Sequence, residues 1–96
     1  MSRIPLEKTA RFVVSLSVRA RQLDDELVLL DLRQGEYFSL NASGAAVWNG
    51  LERGLDLAAI DEELAGRWPV EAPARWNMLE DLVGDFLARG LVEQSG

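Results

Sequence analysis

Apolar and polar residues alternate along the N-terminal part of the chain, and this period of two predicts β-strands. Phe12–Val18 places every second apolar side chain on one side, which is typical of a half-buried strand. The polar stretch Arg19–Asp25 ends in Asp24–Asp25, which predicts a turn. Glu26–Leu32, apolar on both faces for most of its length, predicts a second strand. Glu36–Leu40 predicts a short third strand, which forms a tight hairpin with the second through Gly35.

The hydrophobic period changes to about 3.6 residues in the second half of the chain, which predicts three helices. Asn41 or Ser43 can cap the first helix, and Gly54 suits the left-handed position after its last turn. Asp56 can cap the second helix, which Pro69 ends. This second helix carries one apolar stripe, formed by Leu57, Ile60, Leu64 and Trp68.

The third helix has an unusually wide apolar face. We expect it to begin near Pro73, run to about Arg89 and end at Gly90. Its apolar side chains cover about 140°, whereas a helix that packs on one core needs about 100°. The excess predicts a second apolar contact beside the core. The arc is formed by Trp76, Leu79, Leu82, Val83, Phe86 and Leu87, with Met78 extending it.

Three strands followed by three helices predict an α+β fold in which helices pack on a small sheet. The order is that of a winged helix-turn-helix-like fold with an N-terminal three-stranded antiparallel sheet. We expect one domain over residues 12–93, with an N-terminal tail at 1–11 and a C-terminal tail at 94–96 that begins to fray at Glu93. Asp61–Glu63 and Glu80–Asp81 are expected to lie on solvated helix faces.

The composition excludes several kinds of chemistry. The 96 residues contain no histidine and no cysteine, which excludes Ser-His-Asp triads, Cys-His pairs, structural zinc sites and disulfides. Only carboxylates and one tyrosine remain as acid–base groups, so we expect no enzyme, no cofactor and no metal site. No apolar run is long enough to span a membrane and no secretory signal begins the chain, so we expect a cytoplasmic location.

The net charge weighs against nucleic acid as a partner. Sixteen acidic residues outnumber ten basic ones, which gives a formal charge of −6. A protein that binds DNA needs cations to displace the counterions of the phosphates. A winged-helix DNA-binding regulator nevertheless remains the alternative function, because the order of elements fits that fold.

Three stretches of the sequence together resemble the PqqD family. They are Val28–Leu32, Gly35–Asn41 and Gly44–Trp48, and the C-terminal pattern Leu79, Leu82–Val83, Phe86 and Gly90–Val92 resembles the family as well. The resemblance covers residues 12–92. It implies a non-catalytic module that recognises the leader segment of a ribosomally made precursor peptide. The Gly-x-Tyr-Phe hairpin is similar to that of the discrete modules of lasso-peptide clusters.

The resemblance also implies where the leader binds. In such modules the leader adds a strand to the third β-strand and lies in the groove between that strand and the third helix. The implied partners are the leader and a leader peptidase or modifying enzyme of the same pathway. Many relatives carry an acidic residue early in the third helix where this chain has Met78, so a carboxylate contact is not expected there.

Elementary physics favours the same site, because a strand at a sheet edge has unpaired backbone groups that an extended peptide can bond. An edge of this kind can also pair with a second copy, so a homodimer stays an open alternative. Glu36 and Arg75 are candidate rim charges that set register and association rate. The candidate peptide-binding residues are Glu36, Tyr37, Phe38, Ser39, Leu40, Arg75, Met78, Leu79, Leu82 and Phe86.

The pattern leaves the role of individual side chains open. Tyr37 either contacts the peptide or covers the sheet face. Phe38 and Leu40 fit the core better than the site, as do Leu79, Val83 and Phe86 on the third helix. Met78 and Leu82 lie at one border of the helical arc, and Trp76 and Leu87 lie at the other. The resemblance favours the Met78 border as the one that faces the peptide.

Overall fold

The computed structural model describes residues 5–95 and contains two antiparallel sheets and three helices. β2, β3 and β4 form a three-stranded sheet in that order, and β1 pairs with β5. The predicted α+β class, with a three-stranded antiparallel sheet followed by three helices, is confirmed. The elements are β1 (Arg11–Val14), β2 (Val18–Leu23), β3 (Glu26–Asp31), β4 (Glu36–Leu40), α1 (Ala42–Glu52), α2 (Leu57–Arg67), α3 (Ala72–Ala88) and β5 (Val92–Ser95).

The prediction of one strand over Phe12–Val18 is wrong. Ser15 closes a turn, because its carbonyl accepts the Val18 N–H at 3.1 Å and its hydroxyl accepts the Ser17 N–H at 3.2 Å. Leu16, at the tip of this turn, is 93% exposed. The prediction failed because Phe12 and Val18, at the two ends of the alternating stretch, are both buried although they belong to different sheets.

The turn predicted at Asp24–Asp25 is confirmed, but the polar residues before it, for which no strand was predicted, form one. β2 extends to Leu23, and the turn is confined to Asp24 and Asp25, with Asp24 in the left-handed region at φ +52°. Every β2 residue after Val18 is exposed, so the strand shows no apolar pattern. The strand predicted as the third in the chain is therefore the fourth, β4.

Both ends of the described chain make backbone contacts. The segment expected to fray from Glu93 forms β5, which pairs with β1 in the register Phe12 to Gln94. In the expected N-terminal tail, the carbonyls of Lys8 and Ala10 accept N–H groups from the first turn of α2 at 2.9 and 3.1 Å. Polar, exposed residues can form such ladders because the bonds are between main chains. The ends of the two expected tails, residues 1–4 and 96, lie outside the described residues.

The prediction that Glu80 lies on a solvated helix face is wrong. It is buried, and its carboxylate accepts the backbone N–H of Leu6 at 2.8 Å. The N-terminal segment thus lies against α3, and Lys8 sits over the ring of Trp76 at 5.9 Å. The Trp76 border of the helical arc is therefore in contact with the chain's own N-terminal segment.

The predicted caps are confirmed. Asn41, rather than Ser43, caps α1 through a bond from the Gly44 N–H to its Oδ1 at 2.9 Å. Asp56 caps α2 by accepting the Ala59 N–H at 2.9 Å. Because Asn41 directly follows β4, its cap ends the strand and begins α1 at the corner where the sheet meets the helices.

The core lies between the inner face of the three-stranded sheet and the helices. Trp48 of α1 meets Phe86 of α3 edge to face, with ring centroids 5.2 Å apart. Leu79 and Val83 are buried with them, as predicted. Gly50 allows α1 to approach α2, since a Cβ there would lie 2.7 Å from Cγ1 of Ile60. No helix within residues 5–95 is both long and apolar enough to cross a membrane.

Candidate functional site

β4 lies at the edge of its sheet. It pairs with β3 on one side, and no strand within residues 5–95 pairs with its other side. Two hydrogen bonds show which way the backbone groups of β3 point. The N–H of Leu32 donates to Ser17 O toward β2 at 2.9 Å, and the carbonyl of Asp31 accepts the Gly35 N–H on the β4 side at 2.8 Å. Because directions alternate along an antiparallel strand, Asp31 and every second residue before it point toward β4.

This direction identifies the free groups of β4. Glu36, Phe38 and Leu40 are the register partners of the β3 residues that point toward β4, so their N–H and C=O groups point back to β3. Tyr37 and Ser39 therefore direct their N–H and C=O groups away from the sheet. The outward-pointing groups of these two residues are the β4 edge, and an extended chain can bond them without displacing any strand pair.

A groove runs beside the β4 edge. It is an open cavity of about 290 Å³ between the end of β4, the start of α1 and the middle of α3. Its apolar wall is formed by Met78 and Leu82, which are one helical turn apart on α3. Leu40 forms the floor and is itself buried. The groove is lined by Ser39, Leu40, Asn41, Ser43, Gly44, Met78 and Leu82.

Two further cavities join the groove at Met78. One, of about 660 Å³, is open to solvent along the outer side of α3 and shares Met78 and Leu82 with the groove. The other is smaller and more enclosed, about 110 Å³, and shares Ser43 and Met78. The smaller one lies between α1, α2 and α3 and is lined by Ser43, Leu64, Trp68, Val70, Arg75 and Met78. Met78, 36% exposed, is thus the side chain at which the three spaces meet.

Arg75 is held by the protein itself and is not a free rim charge. Its Nε and Nη2 donate to the two carboxylate oxygens of Asp61 at 2.8 and 3.2 Å, and its Nη1 donates to Val70 O at 3.0 Å. The hydrogen bond with Asp61 is the main reason why the pKa of Arg75 is raised above its ordinary value. The pair fixes the start of α3 against α2 and so holds one wall of the smaller cavity in place.

Arg89, just after the end of α3, contacts β4. Its guanidinium lies over the Phe38 ring at 4.7 Å, and its Nε donates to Asp85 at 3.0 Å. Phe38 is half-buried on the inner face of β4 and packs against the core, so the cation covers the part of the ring that the core leaves accessible. Sequence reasoning missed Arg89, because a charged residue at a helix end is usually solvated.

The remaining candidate peptide-binding residues either lie on β4 with exposed side chains or belong to the buried core. Tyr37 is 75% exposed on the sheet face that points away from the helices, so it offers its backbone and not its ring to the groove. Glu36 is exposed at the start of β4. Leu79 and Phe86 are buried and support the wall from behind. The sequence did not identify Asn41, Ser43 and Gly44 as lining residues, since their pattern indicated only a helix cap.

The other free strand edge of this sheet is less suited to a peptide. β2 exposes Arg19, Arg21 and Gln22 along its length. Charged and polar side chains of this kind discourage strand addition. The cavity near the end of β2 is more polar than the groove, with Asp24, Asp25 and Asn49 among its lining residues. The β4 edge is the one with an apolar wall beside it.

Comparison with known proteins gives a consistent result. The family model described as coenzyme PQQ synthesis protein D (PqqD) matches residues 26–92. No functionally curated protein matches the chain. TbiB1, solved in complex with the TbiA(β) leader peptide, is 31% identical, with a TM-score of 0.80 over 88% of this chain and 98% of that one. A lasso peptide synthetase B1, complexed with its leader peptide, is 28% identical, with a TM-score of 0.80 over 88% of this chain and 99% of that one.

Proposed function

The chain belongs to the PqqD family, and on this basis we propose that it binds the leader of a ribosomally made precursor peptide by strand addition at the β4 edge. Two structural relatives were solved with leader peptides, and one of them is a lasso peptide synthetase component. The observation that carries the proposal is the free edge at Tyr37 and Ser39 beside the apolar wall of Met78 and Leu82.

Hydrogen bonds at the β4 edge and burial of side chains in the groove contribute differently to the binding of a peptide. Each backbone hydrogen bond contributes about 1 kcal/mol net, because both partners give up water. The four groups of Tyr37 and Ser39 therefore hold an extended chain with little regard to its sequence. Burial of one large apolar side chain against Met78, Leu82 and Leu40 adds about 1.5–3 kcal/mol. Selectivity among leaders thus comes from the side chains that enter the groove.

We infer that the protein performs no chemistry on the peptide. The groove presents the side chains of serine, asparagine, leucine and methionine, none of which is paired there with a base. The benefit of binding is a raised effective concentration of the precursor near the enzymes that modify it. A leader peptidase or modifying enzyme is the expected partner, and a cytoplasmic setting is part of the proposal.

The DNA-binding alternative gains no support from the structure. α3 exposes Asp85 near the site, and its Arg89 is engaged with that carboxylate and with Phe38. The formal charge of −6 opposes approach to phosphates. A homodimer through the β4 edge remains a proposal, since the peptide and a second copy would compete for the same groups.

A titration tests the proposed function. Two fluorescein-labelled peptides are used, the TbiA(β) leader and the N-terminal segment of a small open reading frame selected from those that neighbour the gene. We expect binding of the latter at micromolar protein or below by fluorescence anisotropy. Met78→Lys should weaken it at least tenfold, because an ammonium group would enter the apolar groove.

Val13→Lys is the matched control, because Val13 is likewise exposed but lies on β1, in the other sheet. The control should bind like the wild type. Failure of both peptides to bind the wild-type protein would refute the proposed function. Equal affinity of the Met78→Lys variant would refute the assignment of the groove.

A further inference from the structure

The β4 strand is fixed to the rest of the protein in different ways at its two ends. At its C-terminal end β4 runs directly into α1, where the Asn41 cap holds the corner. Its N-terminal end follows the exposed turn at residues 32–35, about 13 Å away along the strand. Gly90, just after α3, lies beside this turn although it is 57 residues away from Arg33 in the chain. At this end the position of β4 relative to α3 therefore depends on side-chain contacts.

Arg33 connects this turn to the end of α3. Its Nη2 donates to the carbonyl of Gly90 at 3.1 Å, and a cation is favoured there because the end of a helix carries partial negative charge. The Arg33 N–H donates to Oδ1 of Asp31 at 3.0 Å, and its Nε lies 3.8 Å from the same oxygen. Because Asp31 is buried at the end of β3, the guanidinium lies between a fixed carboxylate of the sheet and the helix end. We call these three residues the Arg33 bridge.

Gly90 leaves the space that the Arg33 side chain occupies. It adopts φ +73°, the left-handed conformation after the last turn of α3. A Cβ at this position would lie 2.8 Å from Nη2 of Arg33, so a side chain there would push the guanidinium away. Gly54 holds the same position after α1, at φ +78°, but a Cβ there would meet no described residue beyond its chain neighbours within 4 Å. The two glycines differ in the contact with Arg33 and share the backbone conformation.

Arg89 joins the same two elements from the helix side. Its guanidinium lies over the ring of Phe38, in the middle of β4, and its Nε donates to Asp85 of α3. Together with the Arg33 bridge, this contact holds the turn end of β4 beside α3. The side chains of Arg33 and Arg89 are 53% and 45% exposed. Because contacts of exposed charged side chains are individually weak, we expect each to adjust the position of β4 without deciding whether the domain folds.

We propose that Arg33 is a positioning residue for leader binding, which fixes the distance between the β4 edge and α3 and thereby the size of side chain that the groove accepts. The inference rests on the proposed leader binding. Arg33 does not line the groove, so it acts through the position of β4. Its effect is to keep the two sides of the peptide site at one spacing.

A bound leader depends on this spacing because it is held from two sides at once. The outward backbone groups of Tyr37 and Ser39 fix the peptide to β4, while its inward side chain must fit against Met78 and Leu82 of α3. A shift of β4 relative to α3 leaves the edge hydrogen bonds in place and changes the fit of the side chain. Loss of the Arg33 bridge should therefore reduce the selectivity for side-chain size more than it reduces binding itself.

Two pairs of variants test the proposal. Arg33→Met removes the guanidinium and keeps an apolar stem. Arg53→Met is its control, because Arg53 is 54% exposed, close to the 53% of Arg33, and joins two other elements by donating from α1 to Glu63 of α2. Gly90→Ala and Gly54→Ala form the second pair. Both alanines strain the backbone at positive φ, but only the one at Gly90 displaces Arg33.

The readout is a ratio of two leader affinities. The leader probe that binds in the titration above is scanned with alanine, and the position that loses most affinity is remade with leucine and with tryptophan. Both forms are titrated against every variant by fluorescence anisotropy. A variant that is merely less stable loses the same factor of apparent affinity for both forms, so the folded fraction cancels in the ratio.

We expect the wild type to prefer one of the two forms at least tenfold. Arg33→Met and Gly90→Ala should reduce this preference at least threefold, while Arg53→Met and Gly54→Ala keep it within 1.5-fold. An unchanged or raised preference in both bridge variants would overturn the proposal, even if both affinities fall together. So would a wild type that binds the two forms equally, because its groove would then select no side-chain size.

The outcomes also separate this proposal from the proposed function. A wild-type protein that binds neither leader probe refutes the proposed function, and the role of Arg33 falls with it. Leader binding with preferences that are the same in all four variants refutes the role of Arg33 alone. Urea unfolding checks that each variant is folded, and Gly90→Ala keeps the test decisive should Arg33→Met fail to fold.

Discussion

Replacing Ser39 by proline tests the contribution of the β4 edge separately from that of the groove. The N–H of Ser39 points away from β3, so proline removes no bond of the existing sheet. Proline also restricts the residue before it to extended backbone, and Phe38 is already in a strand. The change therefore removes one donor from the β4 edge and places a ring where an added strand must approach.

The size of the effect follows from the bonds lost. The missing N–H costs the complex about 1 kcal/mol, and we expect the ring to weaken a neighbouring bond by a similar amount. A loss of about 2 kcal/mol corresponds to an approximately 30-fold weaker leader affinity. The free protein should lose less than about 1 kcal/mol of unfolding free energy, since its ladder stays complete.

Phe38→Pro is the control, because the N–H of Phe38 points toward β3 and belongs to the ladder. It should lower the midpoint of urea unfolding far more than Ser39→Pro does. Leader affinity is measured by fluorescence anisotropy and stability by urea unfolding. A Ser39→Pro variant that binds leader as tightly as the wild type would refute strand addition at β4. A variant that unfolds like Phe38→Pro would refute the assigned backbone direction.

Four other outcomes are expected. Leu82→Asp should weaken leader binding at least tenfold while the domain stays folded, because Leu82 is only half-buried; global unfolding would place it in the core instead. Gly50→Ala should destabilise the fold by about 1–3 kcal/mol in urea, because its Cβ would meet Ile60; a stabilised variant would contradict this packing. Asn41→Ala should cost about 1 kcal/mol through the lost α1 cap, and an unchanged midpoint would show that the cap contributes nothing. The raised pKa of Arg75 means that the contribution of its pair with Asp61 is fully present below the ordinary arginine pKa and is lost only as pH rises through the higher folded value. The drop in urea midpoint caused by Arg75→Met should therefore be the same at about pH 6 and pH 9, and a drop that shrinks within that range would contradict this assignment.

Local signals in the sequence predicted the elements around the site correctly. The hairpin through Gly35 and the caps Asn41 and Asp56 depend on turn and cap chemistry, which acts between near neighbours. β2 was missed because a strand exposed on both faces carries no hydrophobic alternation. β5 was missed because its pairing with β1 joins residues from opposite ends of the chain.

The site was predicted in outline but not in all of its side chains. Met78 and Leu82 were identified from the border of the helical arc, and the structure places them on the groove. The sequence did not show that Arg75 is paired within the protein, because its partner Asp61 lies on another helix. Tyr37 could not be oriented until the strand register showed which sheet face its side chain occupies. Both cases depend on how separate helices and strands are placed against each other, which the local sequence pattern does not show.

Amide hydrogen exchange followed by NMR tests the central claim most directly. In the free protein the N–H groups of Tyr37 and Ser39 should exchange fast, while that of Phe38 is protected by its bond to β3. Saturating leader peptide should slow exchange at Tyr37 and Ser39 and leave Phe38 nearly unchanged. Leader binding that leaves Tyr37 and Ser39 unprotected, or that protects β2 instead, would contradict the account.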